Sequence, residues 1–215
     1  MRNPVKGQRE SQLLRQYSHL TGIDEVGRGC IAGPVYAAAV ILDYERLKQL
    51  DSSARNLIRD SKTLSAAQRS KIAPKITEEL ALDFSIGWSS SEEIERQGIV
   101  AATFGAMLKA LQSLSVPSDY LMIDGQRPLA GYSGKQEWVI RGDQTCYNIA
   151  AASILAKVAR DQFMAEQAIL YPDYGFNTHV GYGTAKHLEA IRKNGICPLH
   201  RKNFAPISRM VAALS

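Results

Sequence analysis

A glycine-rich turn between two strand patterns near the N-terminus constrains the fold most strongly. Residues 22–26 have the pattern of a short strand, and residues 34–42 have that of a strongly apolar one. Two such strands joined by a tight turn favour antiparallel pairing, so we expect a β-hairpin at this place. The first part of the chain is therefore expected to form β-sheet.

Strand and helix patterns alternate along the rest of the chain. Further strands are predicted at residues 82–88, 120–123 and 138–140. Capping patterns and helical periodicity predict helices at residues 65 to about 80, from the serine run 89–91 to about 114 with a break at Gly98, at about 147–170, and at 184–194 with Gly195 as C-cap. Helices dominate towards the C-terminus, which indicates an α/β core with a helical C-terminal extension.

Size and charge fit one globular unit that binds polyanions. The chain has 215 residues, 45% of them hydrophobic, and a formal net charge of +5. That length suits one large domain, or a core domain with a small appendage. The two ends of the chain are basic and its centre is slightly acidic, an arrangement that suits phosphate groups at the flanks and cations at the centre. Basic ends that are merely solvated are the alternative.

Cysteine content and hydropathy indicate the compartment. The three cysteines are Cys30, Cys146 and Cys197, and no pair of them has zinc-ligand or redox spacing. We therefore expect a reducing environment. The N-terminus has no apolar signal core, and the longest apolar run, residues 35–42, is too short to span a bilayer. The protein is expected to be soluble and cytoplasmic, with no membrane partner.

Acidic residues lie at three predicted strand ends. They are Asp24 with Glu25, then Asp124, and then Asp143. Strand ends of an α/β sheet are a common location for a site, and carboxylates that lie close together stay ionised only with cations between them. Hard cations such as Mg²⁺ prefer such oxygen ligands, and two of them can promote phosphodiester cleavage. Each acid alone could instead cap a turn or a helix.

The glycine-rich turn does not have the dinucleotide-binding pattern. In the segment Gly27 to Gly33 the third glycine comes one residue late for that pattern, and a strand rather than a helix follows. The glycines instead favour a close approach of the backbone to a sugar.

The order of motifs resembles bacterial ribonuclease HII. Residues 22–29, Gly-Ile-Asp-Glu-Val-Gly-Arg-Gly, are similar to the signature of that family. Its other blocks follow in order: residues 60–62, 123–125, 142–143, 149–154 with 156–161, and 174–176 leading to 179–182. The resemblance covers residues 20–206. Residues 144–148 depart from it, because the family often has small hydroxyl residues at the ends of this stretch, and we expect Tyr147 and Asn148 to change how the N-terminus of the helix meets substrate.

The resemblance implies a fold and three regions. The expected fold is α/β and ribonuclease H-like, with a central mixed β-sheet flanked by helices and a helical C-terminal extension. Residues 1–20 are expected to form a polar lead-in, residues 21–170 the catalytic core, and residues 171–215 a helical substrate-binding region.

The resemblance also implies an activity and a site. The expected reaction is endonucleolytic cleavage of the RNA strand of RNA–DNA hybrids, and nicking on the 5′ side of ribonucleotides embedded in duplex DNA, which leaves a 3′-hydroxyl. The implied catalytic and metal-binding residues are Asp24, Glu25, Asp124 and Asp143, with two Mg²⁺ or Mn²⁺ ions. The resemblance further implies that Gly27, Arg28 and Gly29 contact the ribose 2′-hydroxyl and that the ring of Tyr182 packs on the following deoxyribose.

Several basic residues are further candidates for substrate contact. Lys62 precedes a predicted helix and is a candidate phosphate ligand, or a solvated loop lysine. Lys157 and Arg160 are candidates as well, or they neutralise Asp161, which we interpret as structural because Lys157 lies one helical turn before it. A set of C-terminal residues is placed along the duplex or, for each one singly, at the surface or a helix end: His179, His187, His200, Arg201 and Lys202.

Two alternatives stay open. One is a ribonuclease HIII-like nuclease, which is disfavoured because that family carries an extra N-terminal domain and about twenty residues precede the first motif here. The other is a nucleic-acid-binding module without catalysis, which would usually lack one of the acids. No obligate protein partner is evident, and a monomer is expected.

Overall fold

The structure is a computed structural model that describes residues 6–212. Its strands are β1 (Leu20–Val26), β2 (Val35–Leu42), β3 (Ala81–Ser89), β4 (Tyr120–Asp124) and β5 (Gln136–Val139). Its α-helices are α1 (Gln8–Leu13), α2 (Tyr44–Gln49), α3 (Ser52–Leu57), α4 (Ala66–Pro74), α5 (Ser91–Gln112), α6 (Gly142–Thr145), α7 (Tyr147–Leu170), α8 (Phe176–His179), α9 (Ala185–Asn194) and α10 (Ile207–Ala212). Shorter helical turns are the 3₁₀ segments Ser61–Thr63 and Pro172–Tyr174 and the π-helix Lys75–Leu80.

The strands form one mixed sheet in the order β3-β2-β1-β4-β5. β1 and β2 pair antiparallel, so the predicted hairpin is confirmed. β3 pairs antiparallel with β2, whereas β4 is parallel to both β1 and β5. Because β1 and β4 run in the same direction, their C-terminal ends meet at one edge of the sheet.

Helices cover both faces of the sheet. On β2, Ala38 and Val40 pack in the core cluster that contains the first turns of α7, whereas Ala37 and Ala39 pack in the cluster that contains α5. Alternate residues of a strand point to opposite faces, so a strand covered on both faces is apolar throughout, as β2 is. The approach of α7 to β1 is also close, since a Cβ atom on Gly22 would lie 2.2 Å from the backbone of Asn148.

Local sequence signals located the four helices that are longer than six residues: α4, α5, α7 and α9. α7 and α9 lie within a residue of their predicted bounds, and Gly98 breaks the regular helix of α5 with a φ of 81°. The helix predicted for residues 65–80 is in fact α4, which a capping box at Ser65 begins, followed by a π-helix after Pro74. α2 and α3 were not predicted. They are short helices that begin at the side-chain caps Asp43 and Asp51.

The N-terminal segment packs on the core. Residues 1–5 of the predicted lead-in lie outside the described residues. Within α1, Leu13 and Glu10 are buried, and the Glu10 carboxylate accepts a hydrogen bond from the Tyr147 amide at the start of α7. The departures at residues 147 and 148 thus contribute to packing, since the Asn148 side chain also donates a 2.7 Å hydrogen bond to the carbonyl oxygen of Leu20.

The C-terminal region packs against the loop that follows β1. Phe176, Ile191 and Ile207 form a core cluster with Ile31 and Ala32 of that loop. An isolated antiparallel bridge pairs Ala32 with His200. The region therefore lies beside the same edge of the sheet as the C-terminal end of β1. Among the helices of residues 6–212, none is long and apolar enough to cross a bilayer.

Candidate active site

The four predicted acids lie near one edge of the sheet. Ile23 of β1 is paired with Ile123 of β4, so Asp24 and Asp124 follow side by side on parallel neighbouring strands. Asp143 is in α6, directly after β5, the strand on the other side of β4. The C-terminal ends of adjacent parallel strands are where an α/β sheet presents a site to its ligand.

Hydrogen bonds orient two of these carboxylates. One Asp124 oxygen, Oδ1, accepts a 2.7 Å hydrogen bond from the amide of Gly142, the residue before Asp143. The Asp24 carboxylate accepts from the Glu25 amide at 2.7 Å. It is also hydrogen-bonded to the hydroxyl of Ser153, which lies 2.9 Å from the Ser61 hydroxyl.

Burial and mutual repulsion shape the electrostatics of the acids. Burial raises the pKa of Asp24 well above its usual value, and the charges of Glu25 and Asp124 raise it further. Burial likewise raises the pKa of Asp143 to about 6, with added repulsion from Asp124 and Asp60. The group therefore holds its full negative charge only when positive charge is brought among the carboxylates.

The donor chemistry fits hard divalent cations. The acids offer only carboxylate oxygens, which are the ligands that Mg²⁺ and Mn²⁺ take in proteins. No group of three or more His, Cys, Asp or Glu side chains within residues 6–212 is already arranged as a metal-ligand cluster.

Lys62 supplies positive charge to this edge of the sheet. Burial raises the pKa values of Glu25, Asp124 and Asp143, and the positive charge of Lys62 opposes this rise. The exposed side chain extends from the 3₁₀ turn Ser61–Thr63, which the Asp60 carboxylate caps by accepting from the Lys62 amide at 3.0 Å. Lys62 thus lies near the acids and is open to solvent, as a phosphate ligand must be.

Sequence analysis missed two residues of the site. Asp60 acts on the pKa values of Asp124 and Asp143, and Ser153 contacts Asp24. In the sequence, Asp60 is distinguished only as part of the family motif at residues 60–62, and Ser153 is one polar residue within an alanine-rich helix. Neither has a neighbour in sequence that would indicate proximity to the acids.

The loop after β1 lies beside the acids. Arg28 is half-exposed, and its guanidinium forms a 2.9 Å ion pair with Glu25. Gly27 has a φ of 94°, and a Cβ atom there would lie 2.3 Å from Nε of Arg160, so only glycine fits. A Cβ atom on Gly29 would meet nothing within 4 Å, so the outer side of the loop is open.

The prediction that Arg160 contacts substrate phosphate is wrong. Arg160 is fully buried and donates to the carbonyl oxygens of Pro34, Val180 and Ala32 at 2.8–3.1 Å. Its guanidinium therefore lies between the loop after β1 and the segment before Tyr182, where backbone carbonyl oxygens accept its hydrogen bonds.

Lys157 pairs with Asp161, which was the alternative to a phosphate contact. Its ammonium group is 2.6 Å from a carboxylate oxygen of Asp161, and the other oxygen of that carboxylate is 3.5 Å from Arg69. Asp161 is thus paired with two basic side chains, and its pairing with Lys157 is the one that the helical spacing predicted. Lys157 neutralises Asp161 and is mostly buried, so the pairing, and not a phosphate contact, is what the geometry favours.

Tyr182 is exposed on a tight turn that buried histidines support. Val180 and Gly181 have positive φ values of 44° and 88°, and the Tyr182 side chain is 42% exposed. The carbonyl oxygen of Tyr182 accepts a 2.8 Å hydrogen bond from Nδ1 of His187, and the Gly181 amide donates to Nδ1 of His179. The turn thus presents its aromatic ring to solvent on a fixed backbone.

The interpretation that the C-terminal histidines and Arg201 line the duplex is wrong, whereas the helix-end alternative holds for His179 at the end of α8 and His187 in the first turn of α9. They are buried: His179, His187, His200 and Arg201 are all at most 8% exposed. Their hydrogen bonds go to backbone and, between His187 and His200, to each other at 3.1 Å. A sequence shows that such residues are polar but not that other elements cover them. Lys202, the remaining member of the set, is exposed.

Comparison with known proteins identifies the family of this chain. The family model for ribonuclease HII matches residues 21–207. A ribonuclease HII from Endomicrobium trichonymphae is 46% identical over 193 residues, which are 90% of this chain and 88% of that protein.

Solved structures agree with the fold. Ribonuclease H2 from Pyrococcus horikoshii OT3 superposes with a TM-score of 0.75 at 22% identity, over 91% of this chain and 98% of that chain. Bst-RNase HIII in complex with Mn²⁺ has a TM-score of 0.67 at 19% identity, over 91% of this chain and 70% of that chain. The extent of the family match and the identity to curated relatives settle the assignment. The chain belongs to the ribonuclease HII family of metal-dependent endoribonucleases, which act on the RNA of RNA–DNA hybrids.

Proposed function

We propose that this protein nicks duplex DNA on the 5′ side of embedded ribonucleotides, as well as cutting longer RNA–DNA hybrids, and leaves a 3′-hydroxyl. One observation carries the proposal: the acids at the ends of β1 and β4 lie beside the open loop Gly27–Gly29. Groups suited to phosphodiester hydrolysis and a backbone suited to close approach by a sugar thus lie next to each other.

The four acids are proposed to hold two divalent cations, Mg²⁺ or Mn²⁺. Asp24, Glu25, Asp124 and Asp143 would be the ligands, and the bound ions would activate water and stabilise the leaving oxygen. The solved structure of a ribonuclease HIII with Mn²⁺ supports a metal of this class. The protein's own contribution is to hold the carboxylates: the Gly142 amide orients Asp124, and Ser153 orients Asp24.

Substrate selection is proposed to rest on backbone and one aromatic ring. Gly27, Arg28 and Gly29 would contact the ribose 2′-hydroxyl, which DNA lacks. Tyr182 would pack against the sugar of the following deoxynucleotide. Lys62 would contact a phosphate oxygen near the acids, because it is exposed and its charge reaches three of them. We further propose a cytoplasmic monomer that needs no obligate protein partner.

A direct comparison of substrates tests the proposal. Purified protein would be given Mg²⁺ and three labelled duplexes of one sequence: all DNA, DNA with one ribonucleotide, and a full RNA–DNA hybrid. We expect cleavage of the last two and none of the first. Cleavage of the long hybrid alone would contradict the proposed specificity and favour a ribonuclease HIII-like preference. Binding without cleavage of any duplex would favour a nucleic-acid-binding module.

A further inference from the structure

Arg201 is a buried cation whose guanidinium is bonded to backbone. It is fully buried, and its Nε donates to the carbonyl oxygen of Gly33 at 2.9 Å. Its Nη1 donates to the carbonyl oxygen of Arg28 at 3.0 Å and its Nη2 to that of Gly27 at 2.8 Å. Two of its three acceptors thus belong to the loop Gly27–Gly29.

This arrangement is unfavourable for a charge and therefore calls for an explanation. Burial lowers the pKa of Arg201 to about 10, and the nearby charge of Arg160 opposes protonation as well. Among residues 6–212 no carboxylate forms an ion pair with Arg201. Apolar residues of similar volume often replace buried charges with no loss of stability, so core packing alone does not explain an arginine here. The planar guanidinium group explains the arginine, because its N–H groups donate to three carbonyl oxygens in fixed positions.

The two anchored carbonyls determine where the following amides point. In a planar trans peptide the carbonyl and the next N–H point in opposite directions. Since the carbonyls of Gly27 and Arg28 point to the buried guanidinium, the amides of Arg28 and Gly29 point away from it. Neither amide donates to an acceptor within residues 6–212, and the space outside Gly29 is open.

We propose that Arg201 is a positioning residue for ribose recognition. It holds the carbonyls of Gly27 and Arg28 in the interior, so that the amides of Arg28 and Gly29 face the 2′-hydroxyl of the substrate. The inference rests on the proposed function, because it requires that this loop reads the sugar. Arg201 lies 173 positions from Arg28 in the chain, and it holds the loop together with the backbone turn in which the Cys30 amide donates to the Gly27 carbonyl oxygen at 3.3 Å.

Arg201→Lys is the variant that tests the role. A lysine keeps the positive charge but lacks the planar fork, so it cannot hold both carbonyls in the same geometry. The readout is the ratio of two dissociation constants, for an all-DNA duplex and for the same duplex with one ribonucleotide, measured by fluorescence anisotropy in EDTA so that nothing is cut. We expect Arg201→Lys to reduce this ratio about fivefold or more, the effect of losing about one hydrogen bond.

Two further variants separate positioning from stability. Ile76→Ala removes buried volume in the cluster between β2 and α7, which has no member in residues 27–33, and should lower the melting temperature while leaving the ratio unchanged. Phe204→Leu removes the ring that lies 5.1 Å from the Arg201 guanidinium, and is a milder perturbation should Arg201→Lys fail to fold. It should reduce the ratio less than Arg201→Lys does.

Gly29→Ala distinguishes failure of this inference from failure of the proposed function. The added methyl group meets nothing in the free protein, but it would obstruct a sugar at the loop. If Gly29→Ala lowers the ratio while folded Arg201→Lys and Phe204→Leu both keep the wild-type ratio, the loop reads ribose and the inference about Arg201 is overturned. If Gly29→Ala also keeps the ratio, the proposed function of the loop is wrong, and the inference falls with it.

Discussion

Asp124 is bonded to the residue that precedes Asp143. The 2.7 Å hydrogen bond from the Gly142 amide to Oδ1 of Asp124 joins the end of β4 to the first turn of α6. Two acids that are 19 positions apart in the sequence are thereby held in a fixed relation, which is what a shared cation requires.

Asp124→Asn should abolish cleavage without loss of the fold. The amide oxygen of asparagine can accept the same hydrogen bond from Gly142, so the backbone arrangement is kept, whereas the charge needed for a divalent ion is lost. We expect a fall of at least about a hundredfold in kcat on a single-ribonucleotide duplex, of the size measured when a preorganised electrostatic contact is removed. Near-normal turnover by a variant with a native circular dichroism spectrum would contradict the assignment of this acid.

Asp24→Asn should stabilise the metal-free protein in a pH-dependent manner. Because burial raises the pKa of Asp24 in the folded state, its charged form disfavours folding above that pKa. The penalty is absent below the unfolded pKa of about 4 and complete above the folded pKa, and each pH unit between these two pKa values adds about 1.4 kcal/mol to it. In EDTA, the variant should therefore melt higher than wild type at pH 8, with the gain shrinking towards pH 4. Equal melting temperatures at pH 8 would mean that Asp24 is not destabilised by its surroundings.

Lys62→Gln and Lys157→Gln should have different effects. Lys62 is exposed beside the acids, so its loss should raise KM and reduce the salt dependence of substrate binding by about one counterion. Lys157 is paired with Asp161, so its loss should lower the melting temperature with little change in salt dependence. Affinity titrations at several salt concentrations separate the two. Equal salt slopes for wild type and Lys62→Gln would exclude a phosphate contact by Lys62.

Tyr182→Ala should weaken the preference for single embedded ribonucleotides, whereas Tyr182→Phe should keep it. The ring is exposed on a turn whose backbone is bonded to His187, so removing the ring leaves the turn in place. The effect should appear as a fall in kcat/KM on the single-ribonucleotide duplex that is greater than the fall on the long hybrid. Parallel rates for all three proteins on both substrates would rule out a role for the ring.

The sequence predicted what local patterns encode. The hairpin of β1 and β2, the bounds of α7 and α9, and the break at Gly98 follow from strand alternation, capping residues and glycine. Asp24, Glu25 and Asp124 lie in the C-terminal parts of β1 and β4, as predicted, whereas Asp143 lies in α6 and not at a strand end.

Burial and long-range pairing were not accessible from the sequence. Arg160 and Arg201 belong to a residue type that often binds phosphate, yet both donate to backbone carbonyl oxygens. The acceptors of Arg201, and two of the three acceptors of Arg160, lie more than a hundred positions away in the sequence. The contact between Asp24 and Ser153 likewise depends on how α7 crosses the sheet. No local signal reports which polar residues the tertiary fold encloses.

The most direct measurement is the position of the cut in a DNA duplex that carries one ribonucleotide. A strand labelled at its 5′ end would be incubated with the protein in Mg²⁺, with EDTA and all-DNA controls, and the product would be mapped beside a sequence ladder and tested as a primer for a DNA polymerase. The account predicts a single metal-dependent nick on the 5′ side of the ribonucleotide, whose 3′-hydroxyl the polymerase extends. A cut elsewhere, an end that cannot be extended, or equal cleavage of all-DNA would contradict it.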